Sequence, residues 1–393
     1  MRIVRLGDVC EFRRGLTYKK TEEVDSSSNI VLRANNIDLS SFKLTFDELR
    51  YINESINIPE SKMLRKDSLL ICTASGSKSH LGKVAYIEDD YPYAFGGFMG
   101  LLVPNDQIYG RYLYKILTAR EFRDHIDSLT DGTNINNLKF SLIEDFEFPL
   151  PSHEEQREIV ARLDAVFEKI DKAIENTEEN LQSIQELYEA RFNNLMSEKP
   201  GGIVTLNDVC AIKSKLIDPR KSEYINCHHV GGANIESKTG RLIGLRTARE
   251  EKLISGKFAF DENTVLYSKI RPYLMKVARP DFAGICSADI YPLTPGFQIE
   301  RDYLYYILLS KEFTGYAIAG SGRAGMPKVN RDHLFSYKFT LPPIDRQKEI
   351  INELNLLDTQ VQKLQRLYQQ KLVDLRALKQ SLLREAFLIS EVE

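Results

Sequence analysis

The chain has 393 residues and a formal net charge of -3, with 42% hydrophobic and 28% charged residues. This composition is typical of globular proteins, and the length suggests two or three domains. No apolar run is long enough for a transmembrane helix, and residues 1–5 lack the apolar stretch of a signal peptide. Five dispersed cysteines without a Cys-x-x-Cys pair favour reduced thiols over a disulfide framework, so we expect a cytoplasmic protein.

Charge is distributed unevenly along the chain. Residues 201–340 contain 20 Lys and Arg against 14 Asp and Glu, whereas residues 150–200 contain 6 against 12. Residues 1–149 contain 19 against 22, with local basic clusters only. Charge therefore supports nucleic-acid binding for the second globular segment and gives no indication for the first.

The predicted elements follow one order twice along the chain. Strands are predicted at 4–6, 68–72 and 146–149 with a helix at 112–122, and again at 204–206, 264–267 and 337–340 with a helix at 303–313. The residues themselves recur, because the opening Leu6, Asp8, Val9 and Cys10 return as Leu206, Asp208, Val209 and Cys210. Further on the shift settles at 191, as Gln156 and Gln347 illustrate, so the chain is an internal repeat.

Each copy ends in a long helix, at 150–200 and at 341–393. Three- and four-residue spacing predicts a coiled-coil seam, formed by Leu163, Val166, Ile170, Ile184 and Leu187 in the first helix and Leu354, Leu357, Val361, Leu364, Leu375 and Leu378 in the second. A second apolar stripe on the first helix, with Ile174, Leu181, Tyr188 and Leu195, could pack a further helix from this chain or a partner. Either helix alone could belong to an ordinary bundle, but a matched pair of about 45 residues each, roughly 65 Å long, predicts a spacer.

These features resemble the specificity subunits of type I restriction–modification systems. The resemblance rests on the repeated Leu-x-Asp-Val-Cys opening, the segment YSKIRPYL at 267–274, the closing tails at 132–151 and 322–343, and the Leu-Pro segments that precede EQREI at 155–159 and RQKEI at 346–350. It covers the whole chain in the right order, and the doubled order is more specific than any single motif. The first copy departs from the pattern at 71–78, where ICTASGSK stands in place of the Lys-Ile-Arg-Pro-Tyr segment.

The resemblance implies an α+β fold. Two similar mixed α/β target-recognition domains, at 1–149 and 201–340, would be separated by two long helices, at 150–200 and 341–393, paired as an antiparallel coiled coil with an internal pseudo-twofold axis. It also implies double-stranded DNA as the ligand, read as a split target with one half per domain and an unread spacer set by the helices.

The resemblance further implies protein partners that carry the chemistry. Two modification subunits would dock on the chain with S-adenosylmethionine, and restriction subunits would add translocation and cleavage that use ATP and Mg. No cofactor, no metal and no catalytic site are expected in this chain, and no membrane partner is expected.

Reading DNA requires donors for phosphates and side chains that reach base edges. In the second domain the candidates are Lys269, Arg271, Tyr273 and Lys276, followed by Arg323, Lys328, Asn330 and Arg331 in and after the Gly-rich loop 320–325. In the first domain they are Arg13, Arg14, Lys19, Lys20, Lys78, His80, Asn134, Asn136 and Asn137. A single Lys or Arg is more simply explained as a solvated surface charge, and the asparagines fit turn chemistry equally well, but the basic clusters together favour contact with DNA.

Motifs for catalysis or metal binding are missing from the sequence. Cys227-His228-His229 has no matching second pair of ligands, and neighbouring strand residues point to opposite faces. Gly76-Ser77-Lys78-Ser79 does not follow the phosphate-loop order. A coiled-coil scaffold whose globular domains bind proteins is the alternative function. Two strongly divergent globular parts on two similar helices favour DNA reading, because only the reading surfaces need to differ.

Overall fold

The computed structural model divides into two units, Met1–Glu178 with Gln369–Glu393 and Glu179–Tyr368. It describes residues 2–39, 41–130, 137–197, 201–322 and 327–388, except the side chains of Thr130 and Leu388. Within these ranges, no helix combines the length and the apolar character that a membrane crossing requires.

The first unit begins with a strand and closes on that strand's antiparallel partner. Its strands are β1 (Arg2–Arg5), β2 (Cys10–Arg14), β3 (Glu23–Val24), β4 (Asn29–Leu32), β5 (Arg50–Ile52), β6 (Leu69–Cys72), β7 (Val84–Tyr86), β8 (Tyr93–Phe95), β9 (Met99–Pro104) and β10 (Glu147–Leu150). Its helices are α1 (Leu6–Val9), α2 (Gly110–Leu117), α3 (Arg120–Thr130) and α4 (Phe140–Ile143). The long helix α5 (His153–Ser197) begins in the first unit, and its residues from Glu179 onwards belong to the second. Because β1 pairs with β10, the chain returns to its own start before it enters α5.

Two four-stranded sheets form the globular part of the first unit. The antiparallel sheet has the order β2-β9-β6-β7, and the other sheet has the order β3-β5-β4-β8 with β4 and β8 parallel. Strand β6 is buried on both faces: Leu69 and Ile71 join the core with the helices, whereas Leu70 and Cys72 join the core with the other sheet. This double burial explains why the predicted central strand is a continuous apolar run.

The second unit repeats the four-stranded antiparallel sheet of the first, but its other sheet has five strands in a different order. Its strands are β11 (Gly202–Thr205), β12 (Cys210–Ala211), β13 (Leu216–Ile217), β14 (His228–Val230), β15 (Arg246–Thr247), β16 (Lys257–Phe260), β17 (Val265–Ser268), β18 (Val277–Ala278), β19 (Gly284–Cys286), β20 (Ile290–Pro295) and β21 (Lys338–Leu341). Its helices are α6 (Leu206–Val209), α7 (Arg301–Leu309), α8 (Lys311–Ala319) and α9 (Arg331–Phe335). The long helix α10 (Ile344–Leu388) begins in the second unit, and its residues from Gln369 onwards belong to the first. The sheets are β12-β20-β17-β18 and β13-β16-β19-β14-β15, and β11 pairs with β21.

The predicted helices at 112–122 and 303–313 are wrong as single helices, because each is two shorter ones. In the second unit the Ser310 hydroxyl accepts a hydrogen bond from the Phe313 amide at 3.2 Å and caps α8 where α7 ends. In the first unit α2 ends at Leu117 and α3 begins at Arg120. The apolar spacing continues through both breaks, so periodicity alone predicted one helix.

The long helices pack antiparallel in the first unit. Asp171 of α5 forms an ion pair with Lys379 of α10 at 2.6 Å, and Glu178 pairs with Arg376 at 3.2 Å. The contacts therefore follow increasing residue numbers along α5 and decreasing residue numbers along α10. The predicted antiparallel helix pair and the mixed α/β repeat are confirmed.

The second unit shows the same antiparallel direction with different contacts. The Tyr188 hydroxyl of α5 donates to the Asp358 carboxylate of α10 at 2.7 Å, and Arg191 pairs with Glu353 at 2.6 Å. The Tyr306 hydroxyl of α7 lies 2.9 Å from the other Asp358 oxygen and joins the globular part to α10.

The packed face of the helices differs from the predicted seam. Among the seam residues, Leu163, Ile170 and Leu354 are buried, Ile184, Leu357, Val361 and Leu375 are half-buried, and Val166, Leu187, Leu364 and Leu378 are exposed. On α5 the buried positions include Phe167 and Phe192, with Ile174 and Tyr188 packed beside them. A helical stripe that is shifted by one residue, from Val166 to Phe167, is rotated by roughly 100° about the helix axis. The seam residues Val166, Leu187, Leu364 and Leu378 therefore lie on the exposed side of the helices.

Replacing Tyr306 with Phe tests how much the polar contact between α7 and α10 stabilises the second unit. The ring of Tyr306 is fully buried, and its hydroxyl lies 2.8 Å from Asn355 Oδ1 as well as near Asp358. Because Tyr306→Phe removes that hydroxyl without changing the ring, we expect a loss of about 1–2 kcal/mol in the free energy of unfolding. Urea denaturation measures this loss. Tyr273→Phe, at a half-exposed ring, is the control and should change stability by less than about 0.5 kcal/mol; equal effects of the two variants would contradict the contact's importance.

Candidate nucleic-acid interface

Three segments of the second unit meet where β17 ends. The Lys269 amide donates to the Asp289 carbonyl at 3.0 Å, and the Lys269 carbonyl accepts from the Val329 amide at 2.9 Å. Ile270 forms an antiparallel bridge with Lys328. These five residues are called the second junction.

The first unit builds the same backbone frame where β6 ends. The Thr73 amide donates to the Phe98 carbonyl at 3.0 Å, and the Thr73 carbonyl accepts from the Leu138 amide at 2.7 Å. Ala74 forms an antiparallel bridge with Asn137. These five residues are called the first junction, and they correspond one for one to the second junction although no side chain is shared.

The side chains of the second junction form a compact charged group. The Asp289 carboxylate lies 3.2 Å from Lys328 Nζ and 3.6 Å from Lys269 Nζ. Lys269 also donates to the Ala288 carbonyl and lies 5.1 Å from the centre of the Tyr291 ring, with only 12% of its side chain exposed. Burial and then the neighbouring Lys328 lower the pKa of the Lys269 amine. Lys269 therefore holds Asp289 in place and offers little surface to a ligand.

A strained turn follows the second junction. Arg271 has φ of +52° and Met275 has φ of +49°, and between them residues 272–274 form a single 3-10 turn. The Arg271 amide donates to the Pro327 carbonyl at 2.9 Å, which fixes the start of the turn. The side chains of Arg271 and Tyr273 are exposed. Left-handed backbone at residues other than Gly costs on the order of 1–2 kcal/mol each, and such strain is concentrated at functional sites.

The other candidates of the second unit divide into engaged and exposed residues. Lys276 donates to the Gly232 carbonyl at 2.5 Å, and the Asn330 side chain caps α9. Arg331 is exposed on the first turn of α9. Arg323 lies outside the described residues.

Two arginines of the first unit lie beside the segment that carries Phe98. Arg14, at the end of β2, pairs with Gly100 of β9, two residues after Phe98, and its side chain is exposed. Arg13 is partly engaged, because its guanidinium donates to the Glu11 carboxylate at 2.8 Å.

The remaining candidates of the first unit lie near the surface. Lys19, Lys20, Lys78 and Asn137 are exposed and His80 is half-buried. Burial and the nearby Lys83 lower the pKa of the His80 imidazole. Asn137 belongs to the first junction, whereas Asn134 and Asn136 lie outside the described residues.

Sequence reasoning missed Phe98 and Asp289, which occupy the same position of the two junctions. The Phe98 side chain is 72% exposed. Its ring is uncharged, so a search for basic and polar side chains does not find it as a DNA contact. The 191-residue shift between the copies, which aligns the two positions, was the signal that could have found them.

Metal binding has no support in the parts of the chain that the structure describes, because no group of three or more His, Cys, Asp or Glu side chains could hold an ion there. The Cys227-His228-His229 run splits as predicted: His228 is exposed and His229 is buried. His229 Nδ1 instead lies 2.8 Å from a Glu251 oxygen, and burial lowers the pKa of its imidazole.

Replacing Arg271 with Gly tests whether the turn is strained. Gly adopts positive φ without penalty, so Arg271→Gly should leave the free energy of unfolding unchanged or raise it by up to about 1 kcal/mol. The control is Arg366→Gly, an exposed arginine inside α10, which should lose about 1 kcal/mol because Gly disfavours helix. Thermal unfolding of both variants checks this, and a clear loss of stability in Arg271→Gly would contradict the strain.

Comparison with protein families gives one match along most of the chain. The family described as the type I restriction modification DNA specificity domain matches residues 1–182 and 200–370. The EcoDI type I restriction enzyme specificity subunit of Escherichia coli is 27% identical, over 70% of this chain and 69% of its own length. The StySPI type I restriction enzyme specificity subunit of Salmonella potsdam is 24% identical, over 95% of this chain and 85% of its own length.

Solved structures share the fold. One, titled as the structural basis of complex assembly and conformational transition of the type I R-M system, aligns with a TM-score of 0.78 at 19% identity, covering 98% of this chain and 97% of that chain. The HsdS subunit from Thermoanaerobacter tengcongensis aligns with a TM-score of 0.57 at 19% identity, covering 98% of this chain and 96% of that chain.

Proposed function

Because the chain belongs to the type I restriction–modification DNA specificity family, we propose that it reads a bipartite DNA target, with one half-site for each unit. The observation that carries this proposal is the pair of junctions. Each unit holds three backbone segments in one hydrogen-bonded frame, and each frame carries different side chains. Two readers that must recognise different half-sequences need this combination of a constant scaffold and variable contacts.

Base reading requires side chains that are held to within a fraction of an ångström, which backbone hydrogen bonds provide better than a free loop. In the second unit the frame is followed along the chain by the exposed Arg271 and Tyr273, and the exposed Arg331 comes shortly after Val329 of the frame. Arginine suits both phosphates and guanine edges. The excess of basic residues in 201–340 supports attraction to the DNA backbone.

The catalytic steps are assigned to partners in this proposal. Two modification subunits would bind S-adenosylmethionine, restriction subunits would use ATP and Mg, and this chain would act in the cytoplasm without a catalytic site. The exposed apolar residues Val166, Leu187, Leu364 and Leu378 on the long helices are the proposed positions for partner contact.

Substituting Arg271 tests the DNA contact directly. The chain is purified with its modification partner, and the target is first identified by methylome sequencing of cells that carry both. If Arg271 reads a base edge, Arg271→Ala should weaken binding to that duplex by about 1–3 kcal/mol. The affinity of the variant for an unrelated duplex should be almost unchanged. Fluorescence anisotropy at fixed salt measures both affinities, because phosphate contacts depend strongly on salt.

The matched control is Lys252→Ala. Lys252 also has a left-handed backbone, with φ of +52°, and the same charge. Lys252 follows β15, which pairs with the start of β14. Gly232, whose carbonyl accepts from Lys276 next to the Arg271 turn, instead follows the end of β14. Substitution of Lys252 should leave specific affinity unchanged, and a similar loss in both variants would mean that Arg271 contributes only general charge.

The spacing of the half-sites tests the role of the helices. Four residues are inserted between Glu178 and Glu179 of α5 and four between Tyr368 and Gln369 of α10, so that each unit keeps its own helix contacts. Each helix becomes about 6 Å longer, which corresponds to roughly two base pairs of DNA. Four residues are close to one helical turn, so the helix packing is only partly disturbed.

Methylome sequencing of the insertion variant should give both half-sequences unchanged and a gap that is about two base pairs longer. Inserting the four residues in α5 alone is the control, because it offsets the two helices and should impair modification. A variant that still modifies DNA with the original gap would show that the helices do not set the spacing.

A further inference from the structure

We propose that the two junctions read different base pairs in the major groove: Phe98 with Asn137 reads an A·T pair, and Asp289 with Lys328 reads a G·C pair. This inference rests on the proposed function, since it names bases within the half-sites that the two units would contact. It comes from equivalent positions of one frame, which carry a ring beside an amide in the first unit and a carboxylate beside an ammonium in the second.

Phe98 is an exposed ring on a backbone that cannot move freely. Its carbonyl accepts hydrogen bonds from the Thr73 amide, the Thr73 hydroxyl and the Ala74 amide, at 3.0, 3.0 and 3.1 Å. Gly15 packs against the same turn so closely that an added Cβ would lie 1.9 Å from the Gly96 carbonyl oxygen. A ring held in this way loses little backbone freedom when a ligand covers it, and ordering costs are a large part of the cost of binding.

The first junction offers the two contacts that distinguish an A·T pair. An Asn side chain can bond adenine N6 and N7 together, and an apolar side chain can contact the thymine 5-methyl group. Phe98 and Asn137 flank one residue, because the Ala74 amide donates to the Phe98 carbonyl while Ala74 bridges Asn137. Both side chains are exposed. They can therefore address the two bases of a single pair.

The second junction offers the complementary chemistry for a G·C pair. A carboxylate accepts from the cytosine N4 amino group, and a lysine donates to guanine O6 and N7. Asp289 and Lys328 lie 3.2 Å apart, with 55% and 39% of their side chains exposed, so the two groups face a ligand together. The mostly buried Lys269, 3.6 Å from Asp289, is a positioning residue that keeps the carboxylate at this place.

The experiment uses the full chain with its modification partner and a pool of duplexes with a randomised central segment. Sequencing of the bound duplexes should give two half-sequences, one with a required A·T pair and one with a required G·C pair. Phe98→Ala should lower the A·T preference about tenfold or more and leave the other half-sequence unchanged. Asp289→Ala should lower the G·C preference about tenfold or more and leave the half-sequence with the A·T pair unchanged.

The matched control is Phe297→Ala. Phe297 is 91% exposed and lies beyond the end of β20, whereas Asp289 precedes the start of that strand. Its substitution should leave both half-sequences unchanged. Thermal unfolding of Phe98→Ala and Phe297→Ala should match the unsubstituted chain, because both rings are more than half exposed. Asp289→Ala also removes the ion-pair partner of the mostly buried Lys269, so some loss of stability is expected and its base preference is measured well below its unfolding temperature.

A change in the DNA alone isolates the Phe98 contact. Replacing the required thymine with uracil removes only the 5-methyl group, so it should weaken binding of the unsubstituted chain severalfold and leave Phe98→Ala unaffected. Equal weakening of both proteins, or selection by Phe98→Ala and Asp289→Ala of the original half-sequences, would overturn the inference while the proposed function stood. Failure of the unsubstituted chain to select any sequence would overturn the proposed function as well.

Discussion

Two backbone hydrogen bonds at the end of a buried strand fix the arrangement on which the rest of this structure depends. Thr73 in one unit and Lys269 in the other each donate to the residue before the next long strand and accept from a segment that follows a helix. Backbone groups at a strand end must find partners once they leave the sheet, and these bonds satisfy them without using any side chain. The side chains at the junctions can therefore differ completely between the units while the backbone stays the same.

The same division between constant backbone and variable side chains extends to the contacts with the long helices. In the first unit Lys115 of α2 is nearly buried, 2.5 Å from an Asp164 oxygen, and its ammonium lies 4.6 Å from the Phe167 ring centre. In the second unit Tyr306 and Asp358 take the corresponding positions at the 191-residue shift of Lys115 and Phe167. Buried polar contacts of this kind are costly when one partner is missing, so each globular part suits its own helix surface.

Much of the fold could be predicted from the sequence, because the repeat and the helical periodicity carry it. The breaks in the helices could not, since a cap at Ser310 leaves the apolar spacing intact. The seam was shifted because Val166 and Phe167 are both apolar and only packing decides between them. In the candidate site, the clustering of basic residues predicted Lys269 and Lys328 but not Asp289, whose carboxylate forms ion pairs with both. Phe98 was missed because exposure of a ring depends on tertiary structure that no local pattern encodes.

The most direct measurement for one half-site per unit is site-specific photo-crosslinking. A benzoylphenylalanine replaces the exposed ring of Phe98 in one sample and of Tyr273 in another, in the full chain bound with its modification partner to a duplex that carries the target. Mapping of the crosslinked bases should place position 98 within one half-sequence and position 273 within the other, with no crosslinks in the gap between them. Crosslinks from both positions to the same half-sequence, or to protein alone, would contradict the account.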